Sequence, residues 1–217
     1  MIYGGKETDM RYASVFYNET NENTYLVYDE NTKNGVIIDP GCSMEQIEKM
    51  INDNGVTVKY ILLTHCHYDH IMSILPLKEK TGAKIVTGDK GSINIGDPNI
   101  NLTLHGLGYV IEGVNADIVL KDGETFEVDG MKIKCIYTPG HTNCGVCYLC
   151  GSDLFCGDTL FLRSCGRWDL PTGDQAALER SIKEKLYMLP DDTAVHCGHG
   201  ADSSIGYEKK FNFFVKA

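Results

Sequence analysis

No stretch of this sequence approaches the roughly 20 consecutive apolar residues that a membrane-spanning helix needs, so no bilayer crossing is expected. Basic side chains are few: 20 Lys and Arg stand against 30 Asp and Glu, a formal charge of -10. Such a balance repels phosphate backbones and excludes nucleic acid as the expected substrate or partner. The first residues, Met1 to Thr20, lack the basic start and apolar centre of an export signal, and Phe211 to Ala217 carry no lipidation or retention pattern. A soluble cytoplasmic protein is therefore expected. Low-complexity tracts and linkers are missing too, which fits one domain over 1–217 with length enough for a full core. Nothing in the sequence signals an oligomeric state, and a small molecule is the expected partner.

Cysteine, by contrast, is plentiful. Nine is an odd number in a chain that is not short, so reduced thiols are expected rather than a disulfide framework. Cys144, Cys147 and Cys150 invite an iron–sulfur reading, but the bacterial ferredoxin spacing would need a fourth cysteine where Leu154 stands. On a strand, steps of three alternate between faces, so these thiols are expected to be buried separately.

Short apolar runs alternate with amphipathic stretches. Tyr25–Tyr28 and Val36–Ile38 read as strands, and Ser43 with Gln46 forms a capping box for a helix that Asn54-Gly55 stops. Tyr60–Leu63 is a buried strand, and a helix is expected from about Ile71 to Lys80. Asp129-Gly130 makes a hairpin of Thr125–Val128 and Met131–Tyr137. Val146–Leu149 and Leu154–Cys156 are further strands. Asp174 caps a helix whose Leu178, Ile182, Leu186 and Leu189 form an apolar stripe. Asp97 to Gly113 reads as a loop over a pocket, with His105 exposed on it. Periodicity alone supports a mixed α/β or α+β domain.

The chemistry is concentrated in Thr64-His65-Cys66-His67-Tyr68-Asp69-His70, four metal-ligand types in six positions directly after an apolar strand. On extended chain His65 and His67 share a side, and a turn lets Asp69 and His70 face a second point nearby. Imidazole with carboxylate suits zinc, iron or manganese. Three later segments each follow a strand: Thr138-Pro139-Gly140-His141-Thr142, Phe155-Cys156-Gly157-Asp158-Thr159 and Cys197-Gly198-His199-Gly200. Cys66 is expected to point away as a packing residue, and His196 to be partly buried rather than a ligand. Arg167 and Asp169 are expected to brace their loop, with Trp168 as its anchor.

The ordered set HCHYDH, PGHT, GDT and GHG resembles the metallo-β-lactamase superfamily, and GRWDLPTGD with Ser204-Ile205-Gly206-Tyr207-Glu208 resembles its small glyoxalase II-like hydrolases. The resemblance runs from about Asn23 to Glu208 and implies an α+β, four-layer αββα sandwich with the site at one edge of two sheets. It implies two divalent metal ions, zinc first, with iron or manganese as alternatives. His65, His67 and His141 would hold the first, Asp69, His70 and His199 the second, with Asp158 bridging. A bridging hydroxide would attack a carbonyl, and Asp69 would take up or orient a proton. A thioester is the implied substrate bond. Only 18 residues follow His199, short of the helical region that holds glutathione in full-length glyoxalase II, so a glutathione-independent thioester, a lactone or another ester is expected. The sequence departs from the family at Cys197, where proline is common, and at Ile71-Met72-Ser73, where Met72 is expected to narrow the pocket. The rival enzyme of the same fold is a persulfide dioxygenase with one iron on residues matching His65, His141 and Asp158. A degenerate binding protein is the rival outside enzymology.

Overall fold

The structure, a computed structural model, describes residues 9–106 and 108–217, with the side chains at 105 and 106 outside that description. The expected exposure of His105 therefore lies outside the described residues.

Two six-stranded sheets form the centre. The first runs in chain order through Met10–Tyr17, Glu22–Asp29, Asn34–Ile38, Thr57–Leu62, Lys84–Gly88 and Ile118–Leu120. Its last four strands are parallel, and the first two pair antiparallel. The second is ordered Ser203–Ser204, Ala194–Cys197, Asp153–Gly157, Val146–Cys150, Met131–Tyr137, Thr125–Val128. Its one parallel pair joins Asp153–Gly157 to Ala194–Cys197.

The period of two along each strand sorts side chains into three cores. Tyr25, Val27, Val36, Ile38 and Leu62 face Cys135, Tyr148 and Phe155 between the sheets. Their chain neighbours Leu26, Ile37 and Ile61 turn the other way, onto the helices Met44–Asn54 and Ile74–Thr81. On the far side, Ile136, Cys147 and Leu154 meet Leu178 and Ile182 of the helix Gln175–Glu184. The four layers, helix, sheet, sheet and helix, follow from strands buried on both faces.

Local signals explain the boundaries. Ser43 Oγ accepts from Gln46 N, and Gly55 ends that helix in the left-handed region. Asp174 accepts from Ala177 N. The hairpin at Asp129 (φ +47) and Gly130 (φ +91) has the left-handed pair that matches sheet twist.

Two helices differ from expectation. The one expected over Ile71–Lys80 is two pieces, Tyr68–Ile71 and Ile74–Thr81, because Ser73 N donates to Pro40 O and Ser73 Oγ to Cys42 O, pinning a break. The other ends at Glu184 rather than running to Leu189, and Leu186–Met188 is a 3-10 turn. Lys185 Nζ is drawn off to Asp122 and Tyr137 O. The Asp97–Gly113 segment carries a short helix, Thr103–Gly106.

The sheets are tied together where the site lies. Tyr148 of the second sheet donates its buried hydroxyl to Leu63 O at 2.9 Å, and Val146 N donates to Thr64 O at 2.8 Å. The three cysteines of the CxxCxxC run separate: Cys144 joins the core under the helices of the first sheet, Cys150 the core between sheets, and Cys147 the core behind the second sheet. An iron–sulfur cluster has no common point to occupy there.

His196 is buried, stacks on Phe155 with ring centres 4.9 Å apart, and spans Asp202 (3.0 Å) and Asp153 (2.8 Å). Burial opposes its charging, but the hydrogen bonds to Asp202 and Asp153 outweigh that and raise its pKa above the ordinary value. A folded-state value above the unfolded one adds stability that is full below about pH 6.5 and fades as pH rises through the folded value. Asp202 is half exposed, so water screens the pair. The stability lost in His196→Gln should be about 1 kcal/mol at pH 5.5 and smaller at pH 9, as read by urea unfolding at both values.

Candidate metal centre

The chain delivers its polar groups at strand ends. Thr57–Leu62 runs into Leu63-Thr64 and then His65 and His67; Met131–Tyr137 precedes His141; Asp153–Gly157 precedes Asp158; Ala194–Cys197 precedes His199. Asp69 and His70 sit on the single helical turn Tyr68–Ile71, closed by His70 N donating to His67 O at 3.0 Å. All seven expected residues come together.

They form two trios, His65, His67 and His141, and Asp69, His70 and His199, in each of which one ligand atom per residue lies within 4.8 Å of the others. Asp158 touches both: its carboxylate is 3.5 Å from His141 Nε2, and 3.4 Å from both His70 Nε2 and His199 Nε2. Asp69 reaches His199 Nε2 at 3.4 Å. Ring nitrogens face one another, His141 Nε2 to His67 Nδ1 at 2.9 Å and His70 Nε2 to His199 Nε2 at 3.3 Å. His65 Nε2 and Asp158 Oδ1 are buried with no hydrogen-bond partner among the described residues. Buried lone pairs aimed at one another are costly alone and suit divalent cations.

Four of the five rings have their outward nitrogen anchored, and His67 Nε2 is buried with no hydrogen-bond partner among the described residues. His141 Nδ1 donates to Arg167 O (2.7 Å) and His199 Nδ1 to Asn21 O (2.9 Å). His70 Nδ1 donates to Asp39 Oδ2 (2.9 Å), and His65 Nδ1 reaches the same carboxylate through Thr64 Oγ1 (3.1 and 2.5 Å). Such contacts fix the tautomer and leave the other nitrogen free for a ligand. Asp39 itself is left-handed (φ +51), strain held by these bonds and by Thr64 N donating to its Oδ1 at 2.8 Å.

Charge follows geometry. Burial opposes ionisation of Asp158, yet His70 and His199 hold its carboxyl well below the usual range. Burial also opposes charging of His70, but Asp158 and Asp39 raise it; His199, opposed the same way, is lifted by Asp158 and Asp69 to about 10. Burial pushes His67 down to about 3, and His65 falls for the same reason. Protons on the second trio thus balance the carboxylates.

Asp39, Thr64 and Glu22 were not singled out by sequence. Ile38-Asp39-Pro40-Gly41 did carry a signal, a carboxylate directly after an apolar strand, as Asp158 is. Glu22 is fully buried, and burial raises it well above the carboxylate range; its carboxyl accepts from Thr24 Oγ1 at 3.0 Å, and the same hydroxyl lies 2.8 Å from Asp39 O. A lone glutamate before Asn-Thr gave no hint of this.

Residues 17–199 match the Metallo-beta-lactamase superfamily. The chain belongs to this superfamily. Among its relatives, the hydroxyacylglutathione hydrolase GloC of Haemophilus influenzae is 34% identical over 204 residues, 90% of this chain and 93% of that one. The crystal structure of BLEG-1 B3 metallo-beta-lactamase superposes with a TM-score of 0.89 at 30% identity, covering 95% of this chain and all of the other. TTHA1623, solved in a di-iron-bound form, gives 0.79 at 31% identity over 94% of this chain and 100% of its own.

As a metallo-β-lactamase superfamily member, the protein opens its histidine cluster into a cleft of about 460 Å3. The cleft is lined by His67, Asp69, His141, Asp158 and His199 of the cluster and by Tyr68, Leu102, Phe161, Arg167 and Leu170. Met72, expected to narrow the pocket, is not among the lining side chains; its carbonyl accepts from Tyr109 Oη at 3.1 Å. Cys66 points away, its sulfur 3.6 Å from Cys144. Arg167 and Asp169 form a bidentate pair at 2.7 Å, and Trp168 packs against the core behind the second sheet.

Gly198 makes the cluster possible: a Cβ there would stand 2.3 Å from Asp158 Oδ1 and 2.6 Å from His70 Cε1. Gly198→Ala should displace Asp158 and cost about 1–3 kcal/mol in chemical unfolding.

Proposed function

We propose that this protein is a metal-dependent hydrolase of thioesters that uses two divalent ions. His65, His67 and His141 would hold one ion and Asp69, His70 and His199 the other, with Asp158 shared between them. Zinc is the first choice, with iron or manganese as alternatives. The observation that carries the reading is the position of Asp158, in contact with His141 of one trio and with His70 and His199 of the other. A shared carboxylate is what a two-metal centre requires. Membership of the metallo-β-lactamase superfamily and similarity to a hydroxyacylglutathione hydrolase support the reaction class.

Ions held there supply two things: they bring the pKa of a bound water from 15.7 toward about 7, and they polarise a carbonyl. The remaining tasks fall to the chain. Arg167 O, Asn21 O and Asp39 keep the ligand rings oriented, so no reorganisation is needed as charge develops. Asp69, which lines the cleft 3.4 Å from His199, is placed to accept a proton and pass it to the leaving thiolate. Tyr68, Leu102, Phe161 and Leu170 shield the reacting carbonyl from water. A persulfide dioxygenase needs only His65, His141 and Asp158. The second trio, complete and anchored, favours the hydrolase.

The deciding experiment is metal analysis of the purified protein beside a panel of thioesters, lactones and persulfides. Two ions per chain with thioester hydrolysis is expected; one iron with oxygen uptake on a persulfide would sink the proposal. Asp158→Ala should lose both ions and at least a thousandfold of activity, and full activity with one retained ion would disprove the bridging role. Asp39→Asn, which weakens the hold on His70, should lower metal affinity by about 10- to 100-fold. Because His70 and His199 keep their protons well above pH 6.5, metal uptake must displace them. Zinc affinity should therefore rise from pH 6 to pH 9, with proton release visible by calorimetry in buffers of different ionisation enthalpy.

A further inference from the structure

Three of the side chains that line the cleft are apolar and uncharged: Leu102, Phe161 and Leu170. Leu102 reaches the cleft by an unusual backbone. Its φ is +65, the left-handed region that residues with a side chain rarely enter. The neighbour that holds it there is Asn101, fully buried. Asn101 Nδ2 donates to Ile95 O and Ile111 O, both at 2.8 Å. Its Oδ1 accepts from Thr103 N at 2.9 Å and from Thr103 Oγ1 at 2.7 Å. Ile111 N closes the ring by donating to Thr103 Oγ1 at 3.2 Å. Both amide hydrogens and both lone pairs of Asn101 are used.

The clamp has a directional result. Ile95 and Ile111 go into the core under the helices of the first sheet, whereas Leu102, between them in sequence, is turned into the cleft. A leucine is not needed there to fill the core, and left-handed backbone held by a saturated polar ring is the kind of strain that persists where a side chain must be aimed. Arg167, which also lines the cleft, gives Nε and Nη2 to Asp169, so its charge is already countered.

We propose that Leu102 is the specificity-determining residue of this site, a fixed stop that limits the substrate to short, uncharged acyl chains. This rests on the reading of the protein as a thioester hydrolase. The acyl chain lies along Phe161 and Leu170 and ends against Leu102, and Asn101 is a positioning residue that keeps the stop from yielding. Each methylene that an apolar pocket accepts or refuses changes discrimination by about 10- to 200-fold.

The test uses the zinc-loaded full chain and two parallel series. One is binding of straight-chain carboxylates from acetate to octanoate by calorimetry. The other is kcat/KM for N-acetylcysteamine thioesters of the same acyl lengths. In the native protein both profiles should fall at least tenfold between the butyryl and octanoyl members. In Leu102→Ala and Leu102→Gly, the octanoyl-to-acetyl ratio should rise at least tenfold in both series, while Leu102→Met keeps the native ratio. Glycine also relieves the backbone strain, so a purely structural role would move Tm in that variant and leave the ratio alone. An unchanged ratio in the alanine and glycine variants, or no carboxylate binding at any length, overturns the proposal. A shifted carboxylate profile without thioester turnover overturns the hydrolase reading and leaves the stop in place. Turnover with one profile in every variant does the reverse.

Discussion

The architecture of the site answers to one electrostatic demand: the Asp158 carboxylate is taken out of water and must be met by positive charge. An isolated buried carboxylate is too costly to keep ionised. Asp158 is kept ionised because His70 and His199 stand 3.4 Å from it, with His141 at 3.5 Å. Those rings come from three separate stretches of chain, and each needs its own anchor. The anchors in turn explain otherwise odd features: the left-handed Asp39, the buried acid of Glu22 behind it, and the glycines packed against Thr64 and Asp158. Gly157, at φ +47, lets the strand pass within contact of Thr64 Oγ1, where any Cβ would collide.

The fold supplies geometry rather than chemistry. Strands buried on both faces make rigid rods, and their ends are fixed points from which short loops project side chains. The first sheet contributes His65, His67, Asp69 and His70; the second contributes His141, Asp158 and His199. Each of the two trios draws ligands from both halves. The cleft exists because the two sheets end together.

Much of this was legible in the sequence, for identifiable reasons. The HCHYDH cluster is dense enough to read alone, and capping boxes, the Asp129-Gly130 turn and the apolar strands report on local backbone physics that needs no tertiary partner. The three later segments carry one ligand each and gain meaning only together. Asp39 escaped because a carboxylate before Pro-Gly is ordinary in turns, and its role lies in contacts to Thr64 and His70, 25 and 31 residues away. The edge strand Met10–Tyr17 escaped because its side chains are mostly half-buried or exposed and leave a weak pattern. The break at Met72-Ser73 is imposed from outside by Pro40 and Cys42, which no local periodicity records. The aim of Leu102 is likewise a property of Asn101 and its distant carbonyls.

The buried Tyr148 hydroxyl has a mechanical meaning. It joins the second sheet to Leu63 O, two residues before His65, and Val146 N holds Thr64 O beside it. Face-to-face sheets are held mainly by apolar contact, which resists separation but offers little resistance to sliding. These two bonds sit at the edge where sliding would change the gap between His67 and His141. They act as a shear pin. The two bonds thereby hold the spacing between the two halves of the centre against sliding of one sheet over the other.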